Sequence, residues 1–418
     1  MKKIIVNGGN ALDGSVTLQG SKNSALPILA ATVATGGVSV IHNCPMLSDV
    51  SAAIKILEHI GCKVKSECNT VVVDSTYASH YDISENLMRE MRSSIVFLGA
   101  LLSRFGKACV TPPGGCEIGL RPIDLHISSF RSMGVKIAEE GGILRCIAEN
   151  GVRGCNINLS FPSVGATENI MLASIGARGE TVINNAAREP EIKDLADFLC
   201  KCGVKVSGAG QSVIRIEGGC VSKNVEHTVI PDRIIASTYM AAAVSAGGKI
   251  AIKGIEREHL VPVLHTFDVA GCKMDVNDDE LVIEAPNRCG RVRYIRTMPY
   301  PGFPTDSQAV VMAMLTKARG TSVINENIFE NRFRHVPELI KMGADIRVEN
   351  NSVAVIEGTQ RLCAAKVNAT DLRGGCALAV AALGADGVTE IGNIYHIDRG
   401  CESLERDLAY LGADIKRI

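Results

Sequence analysis

The chain has 418 residues and a formal net charge of −1, with 46% hydrophobic and 21% charged residues and no tryptophan. Near-neutrality excludes a global basic field for nucleic acid or an anionic membrane, and no stretch approaches the ~20 apolar residues of a membrane span. Length and composition instead describe a globular protein of roughly two to three domains with ample apolar surface for large cores.

The chain opens on "MKKIIVNGG", whose apolar run is too short for a signal-peptide core and predicts a short strand. "LPILAATVATGGVSVIHN" then predicts a small-residue helix running into a strand. "ILEHIGCKV" follows as the end of an amphipathic helix, a glycine and another strand. This pair of signals recurs along the chain. The first returns in "SIVFLGALLSRFGKACVTP", "NIMLASIGARGETVINNA", "STYMAAAVSAGGKIAIKGI", "VVMAMLTKARGTSVINEN" and "ALAVAALGADGVTEIGNI". The second returns in "SFRSMGVKI", "FLCKCGVKV", "FDVAGCKM", "LIKMGADI" and "DLAYLGADI". Its glycines, Gly61, Gly134, Gly203, Gly271, Gly343 and Gly412, lie 68 to 73 residues apart. A glycine just past a helix end takes the left-handed cap conformation without a Cβ penalty.

Six copies of one helix–strand–helix–strand–strand unit are therefore expected, with Ala-rich helices buried behind sheets. The sixth copy stops at "GADIKRI" without its final strand, and "KKIIVNGG" resembles that missing piece. Three units per domain give one domain over residues 22–229 and a discontinuous one joining 1–21 to 230–418.

The fifteen cysteines are scattered, with Cys200 and Cys202 the closest pair and no CxxC knuckle. That pattern argues against a disulfide framework or a structural zinc site and for a reduced, cytoplasmic protein. Cys116, in "TPPGGCEIGLRP", is either a small buried hydrophobe or a thiol presented on a glycine-rich loop. "QGSKNSALP" places Lys22 and Asn23 at the entry to the first small-residue helix. "FPSVGATENIML" places Ser163, Val164 and Gly165 where free N–H groups attract phosphate, or simply cap a helix.

Taken in order, "GSKNSALPILAAT", "MRSSIVFLGALLSRFG", "PGGCEIGLRPIDLH", "SVGATENIML", "NAAREPEI", "IPDRIIAST", "YPGFPTDSQA", "FENRFRHVPEL", "ATDLRGG" and "YHIDRG" resemble the enolpyruvyl transferase family over the whole length. The resemblance implies an α/β fold of two inside-out α/β barrels, built from six repeated helix–strand units, three per domain. It implies transfer of the enolpyruvyl group of phosphoenolpyruvate to the 3′-hydroxyl of UDP-N-acetylglucosamine, by addition and elimination of phosphate, as the first committed step of peptidoglycan synthesis. No cofactor and no metal is implied, and the partners are the two substrates.

The same resemblance carries roles residue by residue. Cys116 matches the acid that protonates the methylene carbon. Lys22, Arg121 and Arg399 match holders of phosphate and carboxylate, and Arg92 another substrate-site position. Asp306 matches the group that contacts the sugar hydroxyl, with a cap for the following helix as the alternative. Asp371 and Arg373 support the phosphoenolpyruvate region. Arg121, Pro122, Ile123, Asp124 and Leu125 match the uridine side, Ser163 to Gly165 the diphosphate, and Ile328 a backbone contact to the sugar. Asn23 accompanies Lys22. Two departures stand out: Val310 where glutamine is common, and Gly374–Gly375 where alanine or serine is usual, which predicts a loosened helix start. The shikimate branch of the family is the rival, but its Asn-Ala-Gly-Thr stretch is missing.

Overall fold

A computed structural model describes residues 2–114, 118–119, 122–219 and 224–418. The chain divides into two compact units. One comprises Met1–Gln19, Glu117–Leu120 and Pro231–Ile418, the other Gly20–Cys116 and Arg121–Ile230. No helix among the described residues is long and apolar enough to cross a membrane.

In the unit that begins at Gly20, three small-residue helices form the centre: Lys22–Thr35, Phe97–Phe105 and Val164–Ser174. Ala, Leu, Ile and Val surround the first of these on all sides, so it has no face to give to water. All its residues except Asn23 are buried. Sheets cover the trio, and the amphipathic helices Ser48–Ile60 and Pro190–Lys201 pack directly against its first helix. One sheet orders Asn224–Thr228, Val38–His42, Thr70–Asp74 and Lys63–Glu67, the first pair parallel and the others antiparallel. The sheet Asn156–Asn158, Glu180–Asn184, Val213–Glu217, Lys205–Ser207 repeats that pattern.

The other unit is built the same way around Arg233–Ala246, Thr305–Leu315 and Leu372–Leu383. Its sheets follow the same order, for example Tyr294–Arg296, Thr321–Asn325, Val353–Glu357, Asp345–Glu349. In the last repeat the third position is taken by Ile4–Asn7. It lies between Val388–Gly392 and Asp414–Arg417, pairing antiparallel with both. Ile4 and Val6 are fully buried there.

The repeat alone does not show which strand leads into which helix. Leu12–Thr17 pairs parallel with Gly248–Lys253, although the chain next enters the Lys22 helix. Asn224–Thr228 pairs with Val38–His42, although the chain next enters the Arg233 helix. The two lead-in strands are thus exchanged between the sequence halves. The six repeat glycines all have φ between +85° and +100°. A Cβ would be strained at each, which explains why the helix-ending residue is glycine every time.

Within each unit the three central helices run the same way. Asn169 caps the approach of Gly99, and Ser103 lies against Gly176 further along both helices. Arg104, at the end of its helix, lies against Gly36, the cap of Lys22–Thr35. In the other unit Ser237 bonds Ser307 near the helix starts, while Ser245 and Lys317 meet Gly384 at the ends. Three helix N-termini therefore gather at one end of each unit. Their free N–H groups and aligned dipoles make that end electropositive.

Candidate active site

The residues singled out from the sequence fall largely on those helix starts. In the Gly20 unit, Lys22 opens the first central helix and is buried, with Nζ 3.1 Å from Asp49 Oδ2. That bond fixes where the ammonium points. Asn23 is half-buried beside it. Arg92 opens a 3₁₀ turn, Arg92–Val96, that leads into Phe97–Phe105. Its Nη1 donates to the Pro113 carbonyl at 3.5 Å, three residues before Cys116 in the sequence. Cys116 and Arg121 lie outside the described residues.

Ser163 caps Val164–Ser174, its Oγ accepting from the Ala166 N–H at 3.3 Å. The N–H groups of Val164 and Gly165 are thereby left outside the helix's own ladder. Pro122 and Asp124 are exposed, Ile123 and Leu125 half-buried, and Asp124 starts the helix Asp124–Ser132. One turn of that helix brings in a residue the sequence reading passed over. Asn169 Oδ1 accepts from the Gly99 N–H, so its amide nitrogen must donate, to the Ile95 carbonyl and to His126 Nδ1, each at 2.8 Å. His126 then carries its proton on Nε2. A Cβ on Gly165 would lie 3.4 Å from His126 Cε1 and 3.6 Å from Nε2, ordinary contact distances that place the ring beside the helix start.

In the other unit Asp306 lies in the first turn of Thr305–Leu315 but does not cap it; the cap position is Pro304. Its carboxylate is instead held between two guanidinium groups. Arg332 Nη2 donates to Oδ1 at 2.7 Å and Arg373 Nη2 to Oδ2 at 3.1 Å. Arg332 also bonds the Thr305 carbonyl at 3.2 Å. Burial alone would favour loss of the Arg373 proton, but Asp306 and Asp232 outweigh it and hold the guanidinium firmly charged.

Arg332 is a second residue that sequence reasoning missed. It lies in a stretch that also contains Arg334, and nothing in the spacing separates the two. The third is Glu326. Its buried carboxylate accepts from the Ile328 and Phe329 N–H groups at 2.9 and 3.1 Å and from Thr305 Oγ1 at 2.9 Å. It ties the Ile328 segment to the start of the Asp306 helix.

Asp371 caps Leu372–Leu383, accepting from the Arg373 and Gly374 N–H groups at 3.0 and 3.1 Å. Burial would raise its carboxyl, but Arg332, His335 and the two N–H groups hold it below the usual value. The expected loosening at Gly374–Gly375 is not found. A Cβ on Gly374 would sit 2.8 Å from Asp371 Oδ2, and one on Gly375 2.6 Å from Ile397 Cγ1. The glycines allow a tight start rather than a loose one. Arg399 ends the 3₁₀ turn Ile394–Arg399 and is half-buried. Ile118 and Gly119 group with this unit, where the Asn331 N–H donates to the Ile118 carbonyl at 3.1 Å.

Each unit by itself gathers cations, caps and helix N-termini, and the unit carrying Asp306 adds a carboxylate held between two guanidiniums. Such a set suits a compact polyanion.

Comparison with known proteins gives a consistent picture. Residues 6–408 match the family described as EPSP synthase (3-phosphoshikimate 1-carboxyvinyltransferase). UDP-N-acetylglucosamine 1-carboxyvinyltransferase 2 of Caldanaerobacter subterraneus subsp. tengcongensis is 51% identical, the match covering 100% of each chain. UDP-N-acetylglucosamine 1-carboxyvinyltransferase of Trichlorobacter lovleyi is 46% identical over 100% of this chain and 99% of the relative. Among solved structures, the enolpyruvyl transferase NikO from Streptomyces tendae superposes with a TM-score of 0.89 at 26% identity. It covers 100% of this chain and 98% of its own. EPSP synthase from Acinetobacter baumannii, at 16% identity and a TM-score of 0.74, shares the fold.

Proposed function

The chain belongs to the EPSP synthase family, and from that premise we propose that it transfers the enolpyruvyl group of phosphoenolpyruvate to the 3′-hydroxyl of UDP-N-acetylglucosamine, releasing phosphate. The full-length identity of 51% to a relative of that name carries the reading. The reaction stands at the first committed step of peptidoglycan synthesis and so serves cell-wall growth, shape and division. Its place is the cytoplasm, where both substrates are made.

Addition requires a proton on the methylene carbon, loss of the 3′-hydroxyl proton and a new C–O bond at the phosphate-bearing carbon. Elimination then expels phosphate. Cys116 supplies the first proton, and its thiolate can also hold the enolpyruvyl carbon as an adduct. Asp306 receives the hydroxyl proton. Two guanidiniums keep this carboxylate ionised before the sugar arrives, and they fix its direction. Geometry of that kind precedes pKa in selecting a base.

Lys22, Arg121 and Arg399 bind phosphate and carboxylate, and Arg92, Asp371 and Arg373 are further substrate residues. A cation at ~4 Å contributes about 4 kcal/mol at an effective dielectric near 20, before desolvation. That attraction grows as charge develops on the leaving phosphate. Arg121, Pro122, Ile123, Asp124 and Leu125 line the uridine side. The Ser163–Gly165 helix start receives the diphosphate, with His126 Nε2–H as a further donor. Ile328 offers its carbonyl to the sugar, its N–H being taken by Glu326. Asn23, next to Lys22, is a further substrate-binding residue.

The test is phosphate release from phosphoenolpyruvate. Release is expected with UDP-N-acetylglucosamine and not with shikimate 3-phosphate. Turnover with the shikimate ester, or release needing no acceptor, would overturn the assignment.

A further inference from the structure

Cys376 and Cys401 do not belong to the machinery just described. Cys376 lies on the first central turns of Leu372–Leu383, one turn after Arg373, and Cys401 follows Arg399–Gly400. Their sulfurs are 3.3 Å apart, and both residues are buried, 1% and 3% exposed. Both thiols are free. We propose that this pair is a thiol–disulfide modification site, oxidised by hydrogen peroxide, and that its closure weakens phosphoenolpyruvate binding.

The chemistry balances with peroxide as the two-electron oxidant. Cys376 sulfur attacks one peroxide oxygen, the O–O bond breaks and water leaves, giving a sulfenic acid. Cys401 sulfur then attacks the sulfenic sulfur, forming the S–S bond and releasing a second water. Two thiols and one peroxide become one disulfide and two waters. Cys376 is suited to act first. The hydrogen bond from Cys401 holds its thiol below the ordinary value against burial, with Arg373 assisting, while Cys401 is pushed up by the same bond and by burial. Asp371 and Asp232 oppose the thiolate from the neighbouring segments, and Tyr239 lies close by with its hydroxyl bonded to Asp407. Because the pair is enclosed, the reagent has to be small, and peroxide is nearly the size of water.

Closure shortens the sulfur separation from 3.3 Å to about 2.0 Å. The shift cannot be absorbed quietly on the Cys401 side. Gln19 grips both flanks of that residue, donating to the Gly400 carbonyl at 3.1 Å and accepting from the Glu402 N–H at 3.0 Å. Gly400 packs on Leu372 so closely that a Cβ there would lie 2.6 Å from it. Strain is passed to Arg399, two residues before Cys401, and to Arg373. The effect on phosphoenolpyruvate rests on the reading of these two arginines as substrate residues.

The experiment treats the full-length protein with stoichiometric hydrogen peroxide, maps disulfides by mass spectrometry, and measures turnover before and after dithiothreitol. A linked Cys376–Cys401 peptide lacking two hydrogens is expected. The phosphoenolpyruvate KM should rise on the order of ten- to a hundredfold, as misplacement by about 1 Å can produce. Dithiothreitol should reverse the rise, and Cys376→Ala should not show it. Oxidation of Cys116 would lower kcat in both proteins and is separable on that ground. If no linked peptide forms, the site is refuted. A linked peptide with unchanged KM, or an equal change in Cys376→Ala, overturns the coupling. Should the reduced protein not turn over UDP-N-acetylglucosamine at all, the proposed function fails, while the peptide map still decides the modification site.

Discussion

Arg373 reaches Asp306 from a helix start 67 residues away and donates to its Oδ2 at 3.1 Å, while the Asp306 Oδ1 is held by Arg332. The Arg332 and Arg373 side chains are nearly enclosed, at 3% and 6% exposure, so the carboxylate neutralises buried charge in addition to its proposed role as base. Asp306→Asn keeps the shape and removes the base. Its kcat should fall on the order of 10²- to 10⁴-fold, the range for general acid–base catalysis. Asp306→Ala should also lower stability by roughly 3–5 kcal/mol, because two buried guanidiniums lose their partner. Equal melting temperatures for Asn, Ala and wild type would contradict this account.

Gly374 and Gly375 provide a test of opposite sign to helix propensity. Alanine is favoured over glycine in a helix by about 1 kcal/mol. Here an added Cβ would meet Asp371 and His335 at one position, and Ile397 and Ala369 at the other. Overpacking of this kind typically costs 1–3 kcal/mol. Gly374→Ala and Gly375→Ala should each lower the urea midpoint. A gain in stability from either would show that the helix start is slack.

Cys116 is the proposed acid of the reaction. Cys116→Ala should lose at least 10²-fold in kcat, and Cys116→Asp, which retains a protonatable group, should keep measurable turnover. A small epoxide phosphonate should alkylate the wild-type thiol faster with sugar nucleotide present and leave Cys116→Asp untouched. Peptide mapping that places the label on another cysteine would exclude the role.

The parts of this molecule legible in the sequence are those with a local or periodic cause. Gly61 and its five counterparts announce helix ends because a left-handed residue is needed at each. The central helices, rich in small and apolar residues, announce burial because none carries a charged solvent face. What escaped is what depends on distant partners. Arg332 and Arg334 are equivalent in the string "FENRFRHVPEL", and only the 2.7 Å bond to Asp306 separates them. Cys376 and Cys401 are 25 residues apart with no spacing signal, and they meet because two segments of one repeat fold back together. His126 was visible as a residue type, but its tautomer follows from Asn169 on another helix.

His335 makes stability depend on pH in a defined window. The ring is fully enclosed, and burial pushes it from 6.5 to about 4, against the charge of Asp371 and a hydrogen bond to the Arg332 backbone and with the Arg332 guanidinium adding to the fall. The unfolded chain therefore binds a proton more readily than the folded one. Stability from this residue is complete above about pH 6.5 and declines as pH falls toward 4, by about 3 kcal/mol in all. Asp371, whose carboxyl is held below its ordinary value of 3.8, adds stability that is fully present throughout this window and is lost only at lower pH. Urea unfolding between pH 7.5 and 4.5 should show the decline, and His335→Phe should flatten it. An unchanged slope in that variant would remove His335 as the cause.

The strand Ile4–Asn7 occupies the third place of its sheet, where the other four-stranded sheets use a strand from within their own repeat. It pairs on both edges, Ile4 facing Ile391 on one side and Arg417 on the other, and Ile4 and Val6 are completely enclosed. Without it, Val388–Gly392 and Asp414–Arg417 would each lose a ladder and expose an edge. Ile4→Ala and Val6→Ala remove apolar volume from that core; isoleucine to alanine typically costs 2–5 kcal/mol. The double variant should lower the urea midpoint clearly, whereas Lys2→Ala, just outside the strand, should not. A stronger test acts on register. Val6→Asp places a carboxylate in that enclosed core opposite Thr389 and Ile415, where Arg417 on the same face is already held by Asp398 and Glu405, and it should make amides of Val388–Gly392 and Asp414–Arg417 exchange hydrogen faster. Protection in Glu180–Asn184, in the other unit, should be unaffected. Loss of protection spread equally over both units, or none in either strand, would show that the N-terminal strand does not complete the sixth repeat in solution.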